Sequence, residues 1–241
     1  MKIRYAGLAA LAGSMLLCFG LPAFAQDEVS VTFTGGYTTT WGNNSGDYGA
    51  GIYSANINGS PSASGMICDD FNDEITNGET WNADAYQASS LNSSNIDETL
   101  FGSKIALDGY AEIATLVSMM FGNVSSYGGI TGITQAELSS AIWDIGVGGT
   151  LQGLDATATA LVAAVEAAFG TNTSKAQAYL ATLSNLWILT PTPEGPGEPQ
   201  EMWISVPEGG AALLYLLLAG FTCFGAIFRN ARRQALKRIV V

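Results

Sequence analysis

Cys68 is the residue of this sequence whose side chain has the most scope for covalent chemistry. The chain contains no histidine, so neither a Ser-His nor a Cys-His nucleophile pair is available, and imidazole is absent as a zinc ligand. Asp69 and Asp70 follow Cys68 directly and disfavour its thiolate. We therefore expect a small, buried and unreactive thiol here, and no cysteine-protease nucleophile.

The acidic run after Cys68 is the second candidate for chemistry. Residues 69–74 read Asp-Asp-Phe-Asn-Asp-Glu, and oxygen ligands at this density suit Ca²⁺. Ile75, however, occupies the position where an EF-hand loop needs glycine. Carboxylate pairs also act as acid and base in glycosidases, but the sequence gives no separation between them. We expect a solvated acidic loop, without a metal, a cofactor or enzymatic activity.

Strand patterns dominate the part of the chain that carries these residues. Residues 29–34 alternate apolar and polar side chains, and residues 35–65 are rich in Gly, Asn, Ser and Tyr, which predicts short strands and loops. From Asp108 onward, apolar residues recur at helical spacing. This layout favours an α+β fold, with a strand-rich N-terminal half and a helical C-terminal half in one ectodomain of residues 26–189.

Four helices are expected in the second half. Residues 134–137 (Thr-Gln-Ala-Glu) form a capping box that opens the second of them. Asp155 is expected to cap the third helix, which Gly170 ends, and residues 174–186 form the fourth. Residues 187–189 then return as a strand.

The charged residues are distributed unevenly along the chain. Between residues 26 and 208 lie two lysines and all 21 acidic residues, a net charge of −19. Such a surface repels nucleic acid, whose binding requires clustered Lys or Arg. We therefore expect no nucleic-acid partner.

Residues 1–25 have the pattern of a secretory signal peptide. Lys2 and Arg4 precede an apolar run, and Ala23 and Ala25 form a small-x-small cleavage site before Gln26. The mature protein is therefore expected to begin at Gln26 and to be exported across the inner membrane.

A second apolar segment lies near the other end of the chain. Residues 209–228 contain no charged side chain, and at about 1.5 Å per residue a helix of this length spans a hydrocarbon core of roughly 30 Å. A basic tail, residues 229–241, follows, and the positive-inside rule places it in the cytoplasm. The sequence thus predicts a single C-terminal transmembrane helix that lies in membrane lipid and anchors the exported domain.

Residues 206–241 combine a short motif, an apolar helix and a basic stop. These are carried by Val206, Pro207, Glu208, Gly209, Arg229, Arg232 and Arg233. In this order they resemble a PEP-CTERM sorting signal of bacterial surface proteins, with Gly209 where the family has proline. The resemblance implies an exosortase-type transpeptidase as partner, cleavage near Pro207-Glu208, and a final place at the cell surface or in the exopolysaccharide matrix.

Residues 190–205 separate the expected domain from this tag. The stretch 190–200 holds four of the seven prolines and is typical of a semi-rigid spacer. Residues 201–205 fit either a last short strand or a juxtamembrane segment. Trp203 suits either packing against the domain or the membrane interface.

Three short segments carry a second resemblance: Cys68-Asp69-Asp70-Phe71, Gly109-Tyr110-Ala111-Glu112 and Ala141-Ile142-Trp143-Asp144. They follow one another as in thioester-type domains of bacterial surface proteins. That resemblance implies a bond between the cysteine and a glutamine four residues before the tryptophan, where this chain has Ser139. Gln135, one helical turn earlier, is the nearest glutamine, so the candidate thioester pairs Cys68 with Gln135.

Two functions follow from these observations. The first is an exported, membrane-anchored surface or exopolysaccharide-associated protein without catalytic activity. The second is a covalent adhesin in which a thioester between Cys68 and Gln135 acylates an amine of its partner. The mass of the mature protein separates the two, because thioester formation releases ammonia, about 17 Da.

Overall fold

The computed structural model describes residues 27–43, 46–62, 64–193 and 199–206. The strands are β1 (Asp27–Asn43), β2 (Gly46–Ile57), β3 (Ser60–Pro61), β4 (Met66–Cys68), β5 (Thr80–Gln87), β6 (Ser126–Tyr127), β7 (Ile130–Thr131), β8 (Leu186–Thr192) and β9 (Met202–Ser205). The helices are α1 (Gly102–Phe121), α2 (Gln135–Gly146), α3 (Ala156–Phe169) and α4 (Thr173–Leu180). Two short 3-10 turns, Ala88–Ser90 and Ile96–Glu98, lie between β5 and α1.

The main sheet is antiparallel and closes on itself. Its order is β1-β5-β8-β9-β4-β2-β3, and β1 also pairs with β2. The two last strands of the described chain, β8 and β9, therefore lie between β5 and β4 from its first part. Because β1 and β2 pair, few strand edges remain open to pairing with another chain.

Bulges allow β1 to serve two neighbours. Its residues Asp27 to Thr32 pair with β5, whereas its later part pairs with β2. The register against β2 shifts on either side of Gly35 and again after Tyr37. Bulges increase the local twist of a strand, and Gly35 adopts a φ of 84°, which residues with a side chain rarely do. The strand therefore bends while both pairings continue.

The helices form a layer against the sheet. α2 packs against β1, β2 and β4, and α1 packs against the other three helices. From Leu107 to Met120, α1 is buried apart from Asp108 and Ser118, which are half-buried. One hydrophobic core thus runs from the sheet through α2 to α1.

Local signals fix the helix ends close to their predicted places. Thr134 Oγ1 accepts the Glu137 N–H at 3.3 Å and Glu137 accepts the Thr134 N–H, so the predicted capping box is confirmed. Asp155 caps α3 with a hydrogen bond of 2.8 Å, and Gly170 ends that helix with a φ of 55°. The fourth helix ends at Leu180, earlier than the predicted residue 186.

The expected fold class is wrong in its arrangement. The described residues form an α+β domain, but they do not divide into a strand-rich first half and a helical second half, because β8 and β9 complete the sheet. The domain also continues beyond its expected boundary at residue 189, through part of the expected spacer, to the end of β9 at Ser205. Short strands of this kind are stabilised by partners far away in sequence, which local propensity does not report.

The expected fold class also included a C-terminal transmembrane helix. Within the ranges that the structure describes, no helix combines the length and the apolar character that crossing a membrane requires. The predicted span, residues 209–228, lies outside those ranges, as do the basic tail 229–241 and the signal peptide 1–25. The fold that the described residues show is an α+β domain.

Candidate functional site

A cleft of about 410 Å³ opens where β1, β2, the loop after β4 and α2 meet. Aromatic rings and carboxylates line it together. The rings are Phe33, Tyr37, Tyr48, Tyr53, Phe71 and Trp143, and the carboxylates are Asp47, Asp70, Asp73 and Glu74. Concave sites that combine apolar walls with a few polar groups are the usual form of ligand sites, so this cleft is the candidate functional site.

The floor of the cleft is a packed aromatic cluster. The centroid of the Phe71 ring lies 4.8 Å from that of Tyr48, 5.5 Å from that of Trp143 and 5.9 Å from that of Trp41. Trp41 and Trp143 are buried, whereas Phe71 and Tyr48 are half-buried. Aromatic pairs at these separations contribute about 0.5–1.5 kcal/mol each beyond their buried area. The cluster therefore holds Phe71 and Tyr48 in place while parts of both stay open to a ligand.

Tyr37 is the most exposed ring of the cleft, with 54 % of its side chain accessible to solvent. A Cβ atom on Gly49 would lie 2.7 Å from this ring, so the ring rests on bare backbone of β2. Tyr53 donates its hydroxyl to the carbonyl of the same glycine at 2.6 Å, and burial raises the pKa of Tyr53 far above its usual value. Glycine at position 49 thus positions two rings at once.

Asp70 places a buried carboxyl group at the cleft. Its side chain is only 1 % exposed; its Oδ1 accepts the Asn72 N–H at 2.9 Å, while its Oδ2 has no hydrogen-bond partner in the described part of the chain. Burial, and then the charge of Asp73, raises the pKa of Asp70 to about 6. Gln200 fixes the loop by donating to the backbone carbonyls of Asp70, at 2.9 Å, and of Asp73.

Cys68 is a free, buried thiol two residues before Asp70. It donates to the Asp70 carbonyl at 2.9 Å and accepts the Asp70 N–H at 3.3 Å. Burial raises the pKa of the Cys68 thiol well above its usual range, and the charges of Asp70 and Asp69 raise it further. The predicted burial of Cys68 is confirmed, and its sulfur is held as a thiol.

Gln135, the other member of the candidate thioester, has different partners. It is the first residue of α2, and its Oε1 accepts a hydrogen bond from the Thr38 hydroxyl. Trp143, which lies beside Cys68, is about 12 Å further along this helix. At the position that the resemblance assigns to glutamine, Ser139 accepts a backbone N–H of β2 at 2.8 Å. A bond between Cys68 and Gln135 would require both residues to leave these partners, so the thioester stays a prediction.

Glu201 is a buried carboxylate that the sequence did not predict. Its Oε1 accepts the Tyr110 hydroxyl at 2.5 Å, and its Oε2 accepts the Thr190 hydroxyl at 2.5 Å and the Leu100 N–H at 2.9 Å. These donors come from α1, from β8 and from the loop before α1, so one side chain connects three parts of the fold. A single Glu in a short segment with two interpretations gave no signal of this burial.

Asp69 points toward Glu201, away from the cleft. Its Oδ2 accepts the Trp203 Nε1–H at 2.6 Å. Burial and the charge of Glu201 raise the pKa of Asp69 well above its usual value. Burial raises the pKa of Glu201 as well, but its hydrogen bonds from Thr190, Tyr110 and Leu100 oppose that shift. Trp203 is fully buried, and its interpretation as a packing residue is confirmed.

The remaining predicted site residues lie at or beyond the end of the described chain. Val206 directly follows β9, donates its N–H to the Asn185 carbonyl at 2.8 Å, and has a side chain that is 45 % exposed. The others, Ala23, Ala25, Gln26, Pro207, Glu208, Gly209, Arg229, Arg232 and Arg233, fall outside the described residues. Within the described ranges, no group of three or more acidic or cysteine side chains is arranged to hold a metal ion.

No protein-family model, curated protein or solved structure matches the chain. The cleft is the feature of the described chain that bears most on its function. It has an aromatic floor, one exposed ring at the rim and four carboxyl groups in its lining.

Proposed function

We propose that the protein is a non-enzymatic, exported surface or matrix protein that holds neutral polysaccharide in the aromatic cleft. The observation that supports this most is the presence of aromatic rings and carboxylates in one open cleft of about 410 Å³. Sugar rings present apolar C–H faces and hydroxyl edges. Aromatic rings pack against the faces, and carboxylates accept strong hydrogen bonds from the hydroxyl groups.

The charge of the protein supports a neutral ligand. The segment between residues 26 and 208 carries a net charge of −19, and four carboxyl groups line the cleft itself. Polymers rich in uronic acids or sulfate groups are repelled by such a field, whereas neutral hexose polymers are not.

The placement of the carboxyl groups supports binding and not hydrolysis. A glycosidase needs two carboxyl groups on either side of the bond that is cleaved. Asp69 is directed into the core, and Asp70 is buried together with its unpartnered Oδ2. Of the acidic run, only Asp73 and Glu74 reach the accessible wall of the cleft.

Export and sorting form the second part of the proposal, and they rest on the signal-peptide pattern of residues 1–25 and on the PEP-CTERM resemblance of residues 206–241. The proposed processing partner is an exosortase-type transpeptidase. Deletion of residues 207–241 retains all of β9, which ends at Ser205, so the shortened protein is expected to fold and to leave the cell freely. An unchanged cell-associated amount would contradict the sorting proposal.

Affinity electrophoresis tests the binding proposal directly. The full chain is run through native gels that contain soluble β-glucan, dextran or the uronic-acid polymer alginate. We expect retardation by at least one of the two neutral polymers and none by alginate. Equal mobility in all gels, or retardation by alginate alone, would contradict the proposed function.

A further inference from the structure

A second pocket lies on the helical side of the domain and shares no lining residue with the aromatic cleft. It has a volume of about 380 Å³ and lies between the first half of α1 and the C-terminal ends of α2 and α3. Apolar side chains and carboxylates line it. They are Ile105, Ile145 and Val162, and Asp108, Glu112, Asp144 and Glu166.

Glu112 is the residue that distinguishes this pocket. Its side chain is only 7 % exposed, it lines the pocket, and no hydrogen-bond partner for it exists in the described ranges. The charged groups that act on Glu112 most strongly are Glu166 and Asp108, and both repel its carboxylate. A carboxylate that meets neighbouring carboxylates and no donor is unfavourable, and a bound cation would supply the missing partner.

Backbone charge reinforces the negative potential of the pocket. α2 ends at Gly146 and α3 ends at Phe169, and residues at both ends border the pocket. The C-terminal end of a helix carries a partial negative charge of about half a unit. A Cβ atom on Gly149 or Gly170 would meet no other atom within 4 Å, so the entrance is open at both helix ends.

Lys104 does not neutralise the carboxylates of this pocket. It is the one basic residue of the lining, against four acidic ones, and its side chain is exposed. A Cβ atom on Gly148 would lie 3.0 Å from Lys104 Cε, so the stem of this lysine lies along the glycine at the rim. The centre of the pocket thus keeps its negative charge.

We propose that this pocket binds a primary alkylammonium group, with the ammonium against Glu112 and the alkyl chain against Ile105, Ile145 and Val162. Charge selects a cation, and the apolar walls select a cation that carries methylene groups. Chelation of a bare metal ion is not favoured, because no group of three or more ligands in the described chain is placed to hold one. A free aliphatic diamine and a lysine side chain of a partner protein share this chemistry.

The affinity is expected to depend on pH. The charged groups that face Glu112 are Asp108 and Lys104 on α1, Asp144 on α2 and Glu166 on α3. Burial, followed by the charges of Glu166 and Asp108, raises the pKa of Glu112 to about 7. Since an ammonium group binds the ionised carboxylate, the dissociation constant is expected to fall about tenfold from pH 6 to pH 8.

Calorimetric titration of the full chain with 1,5-diaminopentane tests the proposal. We expect binding at pH 8 that is about tenfold weaker at pH 6, and no binding of the neutral analogue 1-pentanol. Glu112→Gln should reduce the affinity at least tenfold and abolish its pH dependence. Glu98→Gln removes the same charge from an exposed position outside the pocket and should change neither. Absence of diamine binding at pH 8, or equal binding by the Glu112 variant, would overturn the proposal.

Two further arms complete the experiment. Glu166→Gln changes an exposed side chain that cannot disturb the core, and it should weaken diamine binding about threefold; an unchanged affinity would contradict the assigned pocket. A short peptide with one central lysine separates the two sources, because its binding supports a partner protein and its exclusion supports a free amine. Tyr37→Ala changes the aromatic cleft and should leave diamine binding in the second pocket unchanged. The polysaccharide proposal and the diamine proposal are therefore tested separately.

Discussion

Tyr37 is the single side chain on which the proposed sugar contact depends most. It is more than half exposed, and its ring is fixed against Gly49, so little freedom is lost when a ligand binds. We expect Tyr37→Ala to weaken binding of the neutral polymer about tenfold, equivalent to roughly 1.4 kcal/mol, measured by affinity electrophoresis. Val124→Ala, at an exposed apolar residue that does not line the cleft, is the control and should bind normally.

Cys68 is expected to resist alkylation in the folded protein. Its thiol is buried, it is hydrogen-bonded to the Asp70 carbonyl, and its pKa is raised, so thiolate is scarce even at pH 8. Iodoacetamide should modify the residue only after the protein is unfolded, as measured by intact mass. A native mass about 17 Da below that of the mature sequence would instead reveal the thioester with Gln135.

Two similar substitutions in the buried pair Asp69 and Glu201 are expected to differ in their effect on stability. Asp69→Asn keeps an acceptor oxygen for Trp203 and replaces a carboxyl group whose pKa burial raises by a neutral amide, so the free energy of unfolding should change by less than about 1 kcal/mol. Glu201→Gln replaces an acceptor oxygen by an N–H₂ group that faces donors, and should cost about 2–4 kcal/mol. Urea unfolding at pH 7 measures both. Equal losses would contradict the different hydrogen bonding of the two carboxyl groups.

At the scale of elements, the contact between β2 and α2 depends on glycine at position 51. Gly51 has a φ of 86°, and a Cβ atom there would lie 2.1 Å from Thr38 Oγ1 and 2.8 Å from Gln135 Oε1. Gly51→Ala should therefore lower the free energy of unfolding by about 3 kcal/mol, from backbone strain and from the clash together. Gly59→Ala shares the positive φ but has open space around it, so about 1 kcal/mol is expected. Similar losses of stability for Gly51→Ala and Gly59→Ala would contradict the close contact of Gly51 with Thr38 and Gln135.

The helices could be predicted from the sequence, whereas the sheet could not be completed from it. Capping residues such as Asp155 act within one helical turn, so their pattern is local and can be recognised in the sequence. The strands β8 and β9 lie in a stretch whose prolines are typical of a spacer, and the partners that stabilise them lie in the first part of the chain. Topology of this kind leaves no local pattern.

The candidate site was predictable only in its acidic half. Residues 69–74 stood out by composition, but Tyr37 and Tyr48 belong to a stretch interpreted as short strands and loops. The bulges of β1 and its pairing with β2 bring these rings into one cleft with Phe71 and Trp143, and neither bulges nor cross-strand pairs are encoded by periodicity.

For the molecule as a whole, raised carboxyl pKa values predict greater stability in mild acid than in mild base. Burial raises the pKa of Asp70 to about 6 and that of Glu112 to about 7. Such groups bind protons more tightly when folded, so their stabilising effect is complete below the unfolded pKa of about 4 and is lost as the pH rises through the folded values. We expect the unfolding temperature to be roughly 5 °C higher at pH 5 than at pH 8, measured by circular dichroism.

Glu112→Gln supplies the matched variant for this pH dependence. It removes one of the carboxyl groups whose pKa is raised, so the difference between pH 5 and pH 8 should shrink, whereas Glu98→Gln, at an exposed site, should leave it intact. An unfolding temperature that is equal at the two pH values, or lower in acid, would contradict the assigned proton uptake.

The position of β8 and β9 inside the sheet sets the time at which the domain can fold. A ribosome delivers β1 to β5 first, yet the sheet cannot close until residue 205 has been made and β9 has joined β8 to β4. Until then the early strands lack a neighbour and cannot lock into their final arrangement. In the proposed export, this delay keeps the nascent polypeptide unfolded. It can then pass through a translocation pore before its last strand reaches the far side.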